Sequence, residues 1–352
     1  MPQTDKSVPP PLSMLASGTT LVPGAAMTRA RTTRGVCSAL AALALALPAA
    51  PALAQSYPSR IIKMIVPFAP GGQPDTMARL IGGHLNTSIG TTIIDNRPGA
   101  NGLFAVRAAT AAEADGHTLL YGSVTTLAIL PALSRSADFD PVKAFVPVAS
   151  MSTSPFLMAV GPSVPARTLA ELIAYAKAHP GKLNFAAPTG GPPHLAGEMF
   201  KAAAGIDIVP VAYRAMNQAF TDLLGGQMDI IFDAPALLLP LIRDGKVRAL
   251  VAMSTKRFPD LPDVPTMAES GLPERTMTVW NGVVAPAGTP DAVVTRLNTA
   301  INDGLRTSEI KATLAKFGSE PLVGSPQEFG TFIAAEAVKW AEIVKLAGVK
   351  VD

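Results

Sequence analysis

Residues 60–75, RIIKMIVPFAPGGQPD, hold an apolar run, a turn and the start of a helix. The run from Arg60 to Phe68 is rich in isoleucine and valine, which favours a β-strand. Proline and glycine in the loop after it end the strand, and a helical stretch follows from Asp75 to about Leu85. A strand, a small-residue loop and a helix in this order predict one unit of an α/β fold.

The same order of elements recurs along the chain. Short apolar runs predict strands at residues 91–95, 117–122, 183–187 and 228–232, each followed by a turn or a helical stretch. Residues 187–193, a second loop of small residues and prolines, join one of these strands to a helix predicted from His194 to Ala204. The alternation predicts parallel sheets with right-handed crossovers.

Length and charge limit the classes of function. The chain has 352 residues, 48% apolar and 16% charged, which suits two globular domains. Its formal charge of +3 comes from residues 1–54, where Lys6, Arg29, Arg31 and Arg34 stand against Asp5 alone. The remainder is neutral and poor in aromatic residues, so the sequence does not predict a nucleic-acid partner.

The N-terminal region has the pattern of a secretory signal. Three arginines from Arg29 to Arg34 precede an apolar run from Val36 to Leu47, and Ala52-Leu53-Ala54 follows. We expect export to the periplasm with cleavage after Ala54, the alternative being a buried Ala/Leu-rich helix. Residues 1–26 lack this pattern, so translation starts at Met1 or at Met27.

The loops at residues 70–75 and 188–194 are candidate ligand loops. Glycines let a ligand approach the backbone, and the unpaired amides of a helix's first turn favour negative charge. Two such loops facing one cleft would hold a carboxylate. The alternative is that each loop is only a turn between a strand and a helix.

The residues for catalysis are few. Cys37 is the one cysteine and precedes the predicted cleavage site, which excludes thiol chemistry, disulfides and Cys-ligated metals in the mature chain. The four histidines are not spaced for zinc, and no nucleophile elbow, P-loop or dinucleotide fingerprint is present. His194 contacts a ligand or caps its helix. Asp75 and Asp233 could form an acid/base pair. The sequence fits better with Asp75 as a residue in the first turn of a helix and Asp233 as the end of a strand.

Several ordered motifs resemble the Bug-type (TctC-like) substrate-binding proteins of tripartite tricarboxylate transporters. They span residues 57–352 and are Tyr57-Pro58-Ser59-Arg60, the block from Val66 to Gly72 with Asp75, Asn96-Arg97-Pro98-Gly99-Ala100, the block from Pro193 to Glu198, the block from Thr221 to Gln227, the block from Pro262 to Thr266, and the block from Ala285 to Pro290. The resemblance implies a periplasmic protein that closes two lobes on a small carboxylate and hands it to a membrane permease. It implies no cofactor and no metal.

The resemblance also implies the residues that contact the ligand. They lie in the two loops and in two further segments of the cleft: Phe68, Pro70, Gly71, Gly72, Gln73, Asp75, Ser123, Thr125, Thr126, Thr189, Gly190, Gly191, His194 and Asp233.

This chain departs from the family pattern inside both loops. Gln73-Pro74 stands where the family has glycine and a small hydroxyl residue, and Pro192 replaces a serine. A third block, usually Val-Pro-Tyr-Lys/Arg-Gly, reads Val211-Ala212-Tyr213-Arg214-Ala215 here. Because proline has no N–H to donate, we expect a ligand with an apolar or aromatic body rather than a compact dicarboxylate such as succinate.

The predicted fold is α/β, a two-lobed periplasmic binding protein of type II-like architecture with a ligand cleft between the lobes. Lobe one comprises residues 55–158 and 279–352, and lobe two residues 159–278, with the chain crossing near Phe156–Val160 and near Val279–Val283. The protein is expected to act as a monomer. Two alternatives remain at this point: a binding protein that feeds a signalling receptor, and an enzyme acting on a carboxylate.

Overall fold

The structure is a computed structural model that describes residues 57–133, 139–213, 216–272 and 276–349. The predicted signal segment, residues 1–54, and Arg214-Ala215 of the third block lie outside the described residues.

Strands and helices alternate through most of the described chain. The strands are β1 (Ile62–Val66), β2 (Thr92–Asn96), β3 (Thr118–Ser123), β4 (Phe145–Pro155), β5 (Leu157–Val160), β6 (Asn184–Ala187), β7 (Val209–Ala212), β8 (Ile230–Asp233), β9 (Arg248–Ala252), β10 (Thr278–Pro286) and β11 (Glu320–Pro321). The α-helices are α1 (Gln73–Ser88), α2 (Leu103–Thr110), α3 (Leu130–Leu133), α4 (Pro141–Ala144), α5 (Leu169–Ala178), α6 (Pro192–Ala204), α7 (Met216–Leu224), α8 (Pro235–Arg243), α9 (Asp291–Arg306), α10 (Ser308–Lys316) and α11 (Pro326–Ala347). A short 3₁₀ turn (Ala100–Gly102) precedes α2, and a π-helical turn (Thr125–Ile129) precedes α3.

The strands form two sheets, which are the centres of two lobes. The first sheet has the order β11-β4-β10-β3-β1-β2, and the second has the order β7-β6-β8-β5-β9. Helix α1 shows why the first lobe packs: Met77, Ile81 and Leu85 recur every four residues and are fully buried. Burial of each such side chain contributes about 1.5–3 kcal/mol.

Both sheets are mixed, which corrects the expectation of parallel sheets. β1 runs parallel to β2 and β3, and β6 runs parallel to β7 and β8. β10, however, is antiparallel to β3 and β4, and β5 is antiparallel to β8 and β9. β5 and β10 lie next to the crossings between the sheets, and β11, which is antiparallel to β4, is a third reversed strand.

Phe156 is the residue between the two sheets. β4 of the first sheet ends at Pro155, and β5 of the second sheet begins at Leu157. The Phe156 N–H donates to the Met277 carbonyl and the Phe156 carbonyl accepts from the Met253 N–H, each at 2.8 Å. The outgoing and returning chains are thus hydrogen-bonded side by side. The residue boundaries of the lobes stay a prediction.

Helix α11 covers the first sheet and carries a buried acid. Glu336 is 7% exposed, and its Oε2 accepts from the indole N–H of Trp280 at 2.7 Å and of Trp340 at 3.0 Å. Lys339 forms an ion pair with Oε1 of the same carboxylate. One side chain therefore ties β10 to α11. Within the described ranges, no helix combines the length and the apolar character needed to cross a membrane.

Candidate ligand cleft

The N-termini of α1 and α6 open onto one cleft between the two sheets. Its volume is about 740 Å³, counted with its opening to solvent. The described lining residues are Phe68, Gln73, Pro74, Ser123, Val124, Thr125, Ser154, Phe156, Pro192, Pro193, Asp233, Ala234, Val279, Asn281 and Ser319. The cleft therefore joins the two loops that the sequence selected.

The Asp75 carboxylate fixes the first loop, residues 70–75, through hydrogen bonds. Gly71 has a φ of +88°, a conformation that favours glycine, and its N–H donates to Asp75 Oδ2 at 3.0 Å. Arg79 Nε donates to the same oxygen at 2.9 Å, and Asn96 Nδ2 donates to Oδ1 at 2.9 Å. The hydrogen bond from Arg79, together with those from Gly71 and Asn96, lowers the pKa of Asp75 to about 2. Asp75 is 3% exposed and fixes the shape of the loop.

The second loop is closed by its own hydrogen bonds. The Gly190 N–H donates to His194 Nδ1 at 3.2 Å, and the Gly191 N–H donates to the Pro188 carbonyl at 2.8 Å. Accepting at Nδ1 requires an unprotonated nitrogen, and burial lowers the pKa of His194, which favours the neutral ring. His194 therefore caps the loop through its ring.

The two helix N-termini offer unequal numbers of backbone donors. The first three amides of an α-helix have no acceptor within the helix. In α1 these positions are Gln73, Pro74 and Asp75, so two N–H groups remain. In α6 they are Pro192, Pro193 and His194, so one remains. Lobe one thus presents more free backbone donors than lobe two.

A hydroxyl pair shapes the third part of the cleft. Thr126 is fully buried, and its Oγ1 accepts from the Ser123 N–H at 3.0 Å. The two hydroxyl oxygens lie 3.3 Å apart. Ser123 and Thr125 line the cleft, at the start of the π-helical turn. Thr126 therefore stabilises this turn through its hydrogen bond with Ser123.

Asp233 ends β8 on the lobe-two wall of the cleft. Its Oδ1 accepts from the Ala234 N–H at 2.8 Å, and burial raises the pKa of its carboxyl to about 7. Asp75 belongs to the opposite loop and is already hydrogen-bonded there, so the geometry provides no acid/base pair.

The structure divides the predicted site residues into two groups. Those that line the cleft are Phe68, Gln73, Ser123, Thr125 and Asp233. Those that build the loops or turns around it are Pro70, Gly71, Gly72, Asp75, Thr126, Thr189, Gly190, Gly191 and His194. Their contacts with a ligand stay predictions.

Six lining residues were not among the predicted site residues or in their loops: Ser154, Phe156, Ala234, Val279, Asn281 and Ser319. Ser154 and Asn281 are polar residues in strands, and Ser154 Oγ donates to the Gly318 carbonyl at 2.8 Å. Ser319 lies after α10 and accepts from Gln73 Nε2 at 3.1 Å. Only the return of distant strands and loops brings them to the cleft.

A family model for the tripartite tricarboxylate transporter family receptor, TctC, matches residues 77–349. The chain belongs to the TctC family. Protein BugT of Bordetella pertussis is 36% identical over 327 residues, covering 92% of this chain and 99% of BugT. This agrees with the Bug-type resemblance of the sequence motifs.

Solved TctC-like structures share the fold. Rpa4515 of R. palustris with adipate has 34% identity and a TM-score of 0.75, covering 84% of this chain and 99% of that one. MatC from Rhodopseudomonas palustris with bound malate has 32% identity and a TM-score of 0.71, covering 82% and 100%. The periplasmic binding protein BugD has 31% identity and a TM-score of 0.72, covering 84% and 99%. The TctC fold of this chain is therefore that of a two-lobed periplasmic binding protein.

Proposed function

We propose that this protein captures a small carboxylate between its lobes in the periplasm and delivers it to the membrane subunits of a tripartite tricarboxylate transporter. The observation that carries the proposal is the cleft itself, which is lined from both sheets and into which the N-termini of α1 and α6 open. Relatives of this fold with adipate and with malate support the carboxylate as ligand class.

Lobe one would hold the carboxylate. The free amides of Gln73 and Asp75 and the hydroxyl of Thr125 lie on that side, and helix N-termini favour anions. Lobe two contributes Pro192 and Pro193, which cannot donate. The ligand is anchored at one end by lobe one and covered at the other by lobe two.

The body of the ligand would be apolar. Eight of the fifteen lining residues offer carbon surface: Phe68, Pro74, Val124, Phe156, Pro192, Pro193, Ala234 and Val279. A second carboxylate close to the first would lose water here without gaining donors, at a cost of about 1–3 kcal/mol or more. We therefore expect adipate, hexanoate or phenylacetate to bind more tightly than succinate.

A thermal-shift screen of the mature chain against these acids, followed by calorimetric titration, tests the proposal. A ligand at 100 times its Kd stabilises the protein by about 2.7 kcal/mol. Thr125→Val, which removes a hydroxyl from the cleft wall, should weaken binding by about tenfold. Thr110→Val, at the exposed end of α2, is the matched control and should bind as wild type. Failure of every carboxylate to bind would refute the ligand class.

Closure and delivery are tested separately. Ligand contacts to both lobes favour the closed form, so small-angle scattering should show a smaller radius of gyration at saturation. Uptake of the identified acid by cells lacking this chain should return with the wild type and, at acid concentrations near the wild-type Kd, return more weakly with Thr125→Val. Binding without any effect on uptake would refute delivery to a transporter. Light scattering tests the proposed monomer.

A further inference from the structure

Asp233 is the acid that lines the cleft at the end of β8. Among the described residues of the cleft wall, it has the only ionisable side chain. The residues around it on the same wall include Pro192, Pro193 and Ala234, which offer carbon surface. A carboxyl group on lobe two therefore shares the cleft with the carboxylate that the proposed function places at the N-terminus of α1.

Two ionisable side chains on the helices next to Asp233, α6 and α8, have partners of their own. On α6, His194 accepts from Gly190 at Nδ1 and has its Nε2 4.0 Å from Glu198. On α8, Arg243 pairs with Asp260 at 3.5 Å. The β5 partner of Asp233 in the sheet is the apolar Leu157. In the structure as described, none of these groups compensates a negative charge on Asp233.

The hydrogen bonds of Asp233 leave one oxygen for the ligand. Oδ1 accepts from the Ala234 N–H at 2.8 Å, and no described residue donates to Oδ2. Burial raises the pKa of Asp233 to about 7. The N-terminus of α8, which follows, favours the ionised form, but proline at its first position removes one of its donors.

We propose that Asp233 binds the ligand as a neutral carboxylic acid, donating the O–H of Oδ2 to a ligand carboxylate oxygen. An ionised Asp233 would repel the ligand in a cleft without a cation, whereas a protonated one donates a short, charge-assisted hydrogen bond. The proton comes from solvent and stays on Asp233. The inference rests on the proposed function and adds that the complex with a captured carboxylate holds one proton on Asp233.

The consequence is an affinity that falls as pH rises. If the free carboxyl titrates near neutral pH and the bound one stays protonated, the affinity should decrease about tenfold between pH 6 and pH 8. Over this range the monocarboxylates hexanoate and phenylacetate stay ionised, because the pKa of a carboxyl group lies well below 6. A ligand held through an ammonium group would show the opposite trend.

Calorimetry with hexanoate and phenylacetate at pH 6, 7 and 8, in phosphate and in imidazole, tests the inference. The difference in binding enthalpy between the two buffers gives the number of protons taken up for each ligand bound. We expect this number to approach one at pH 8 and to be near zero at pH 6. Asp233→Asn keeps a donor without a titratable proton and should bind with little pH dependence. Asp95→Asn, on the surface beside Arg97, is the control and should retain the wild-type dependence.

Each other outcome overturns the inference. Affinity that is constant or rises from pH 6 to pH 8 excludes a protonated Asp233, while leaving carboxylate binding intact. Loss of binding in a folded Asp233→Asn protein would mean that the ligand needs the negative charge. If that variant does not fold, the proton count of the wild type decides. Absence of carboxylate binding at every pH removes both the proposed function and this inference.

Discussion

Replacing Asp75 by Asn should destabilise the protein in a pH-dependent way. The hydrogen bonds from Arg79, Asn96 and Gly71 lower the pKa of Asp75 from 3.8 to about 2. A difference of one in pKa corresponds to about 1.4 kcal/mol, so the ionised carboxylate contributes about 2 kcal/mol, allowing for the half-exposed Arg79. Because unfolding entropy is about 2.1 cal/mol/K per residue, a fold of this size should lose about 3 °C in Tm.

The sign of the pH dependence follows from the lowered pKa. The stabilisation is complete above about pH 4 and is lost as pH falls towards 2, so wild type and Asp75→Asn should converge in acid. Urea denaturation at pH 7, 5, 4 and 3 measures the difference. Asp303→Asn, which breaks an exposed pair with Arg306, is the control and should cost under about 0.5 kcal/mol. A difference between wild type and Asp75→Asn that is absent at pH 7, or equally large at pH 3, would refute the reasoning.

Three further predictions concern the second loop, a helix contact and the N-terminus. Burial lowers the pKa of His194, so the wild type should lose stability relative to His194→Asn as pH falls below about 6.5, measured by thermal denaturation between pH 5 and 8. Gly197→Ala would press a Cβ into the Phe185 ring and cost about 1–3 kcal/mol in urea denaturation, whereas Gly83→Ala, in open space on a helix, should be neutral or stabilising. N-terminal sequencing of the secreted protein should begin at Gln55; an uncleaved chain in the cytoplasm would contradict the signal prediction.

Local patterns predicted the elements around the cleft well. β1, predicted within Arg60–Phe68, spans Ile62–Val66, and α1, predicted from Asp75 to Leu85, spans Gln73–Ser88. Both depend on short-range features, a β-branched run and an apolar residue every fourth position. His194 and Asp75 form hydrogen bonds within their loops, to Gly190 and to Gly71, and a contact of His194 with a ligand stays a prediction.

Strand β4 shows why other parts could not be predicted. Ser150, Ser152 and Ser154 recur at every second position, which is typical of the solvent-facing side of a strand, yet all three are buried. Ser150 Oγ donates to the Leu322 carbonyl at 2.7 Å and Ser154 Oγ donates to the Gly318 carbonyl at 2.8 Å. These partners lie more than 160 residues away in the chain, and no local pattern indicates them.

Helix α8 was missed for a different reason. Pro235 and Pro240 both lie in it, and proline ordinarily marks a break. Pro235 occupies the first helical position. An N–H at this position has no acceptor within the helix, so its absence in proline costs no hydrogen bond. Pro240 remains inside the helix, where burial of Leu238 and Leu239 against the core compensates for the lost hydrogen bond.

Because both tryptophans contact the carboxylate of Glu336, the intrinsic fluorescence of this protein reports on one place in the fold. Trp280 and Trp340 are the only tryptophans in the chain, and both indoles donate to this one side chain. Trp280 lies between Val279 and Asn281, which line the cleft. Emission should therefore respond to ligand at the strand that returns from lobe two, without any label. In thermal denaturation the same emission reports the surroundings of lobe one, whereas circular dichroism averages both lobes, so separate transitions would reveal lobes that unfold independently.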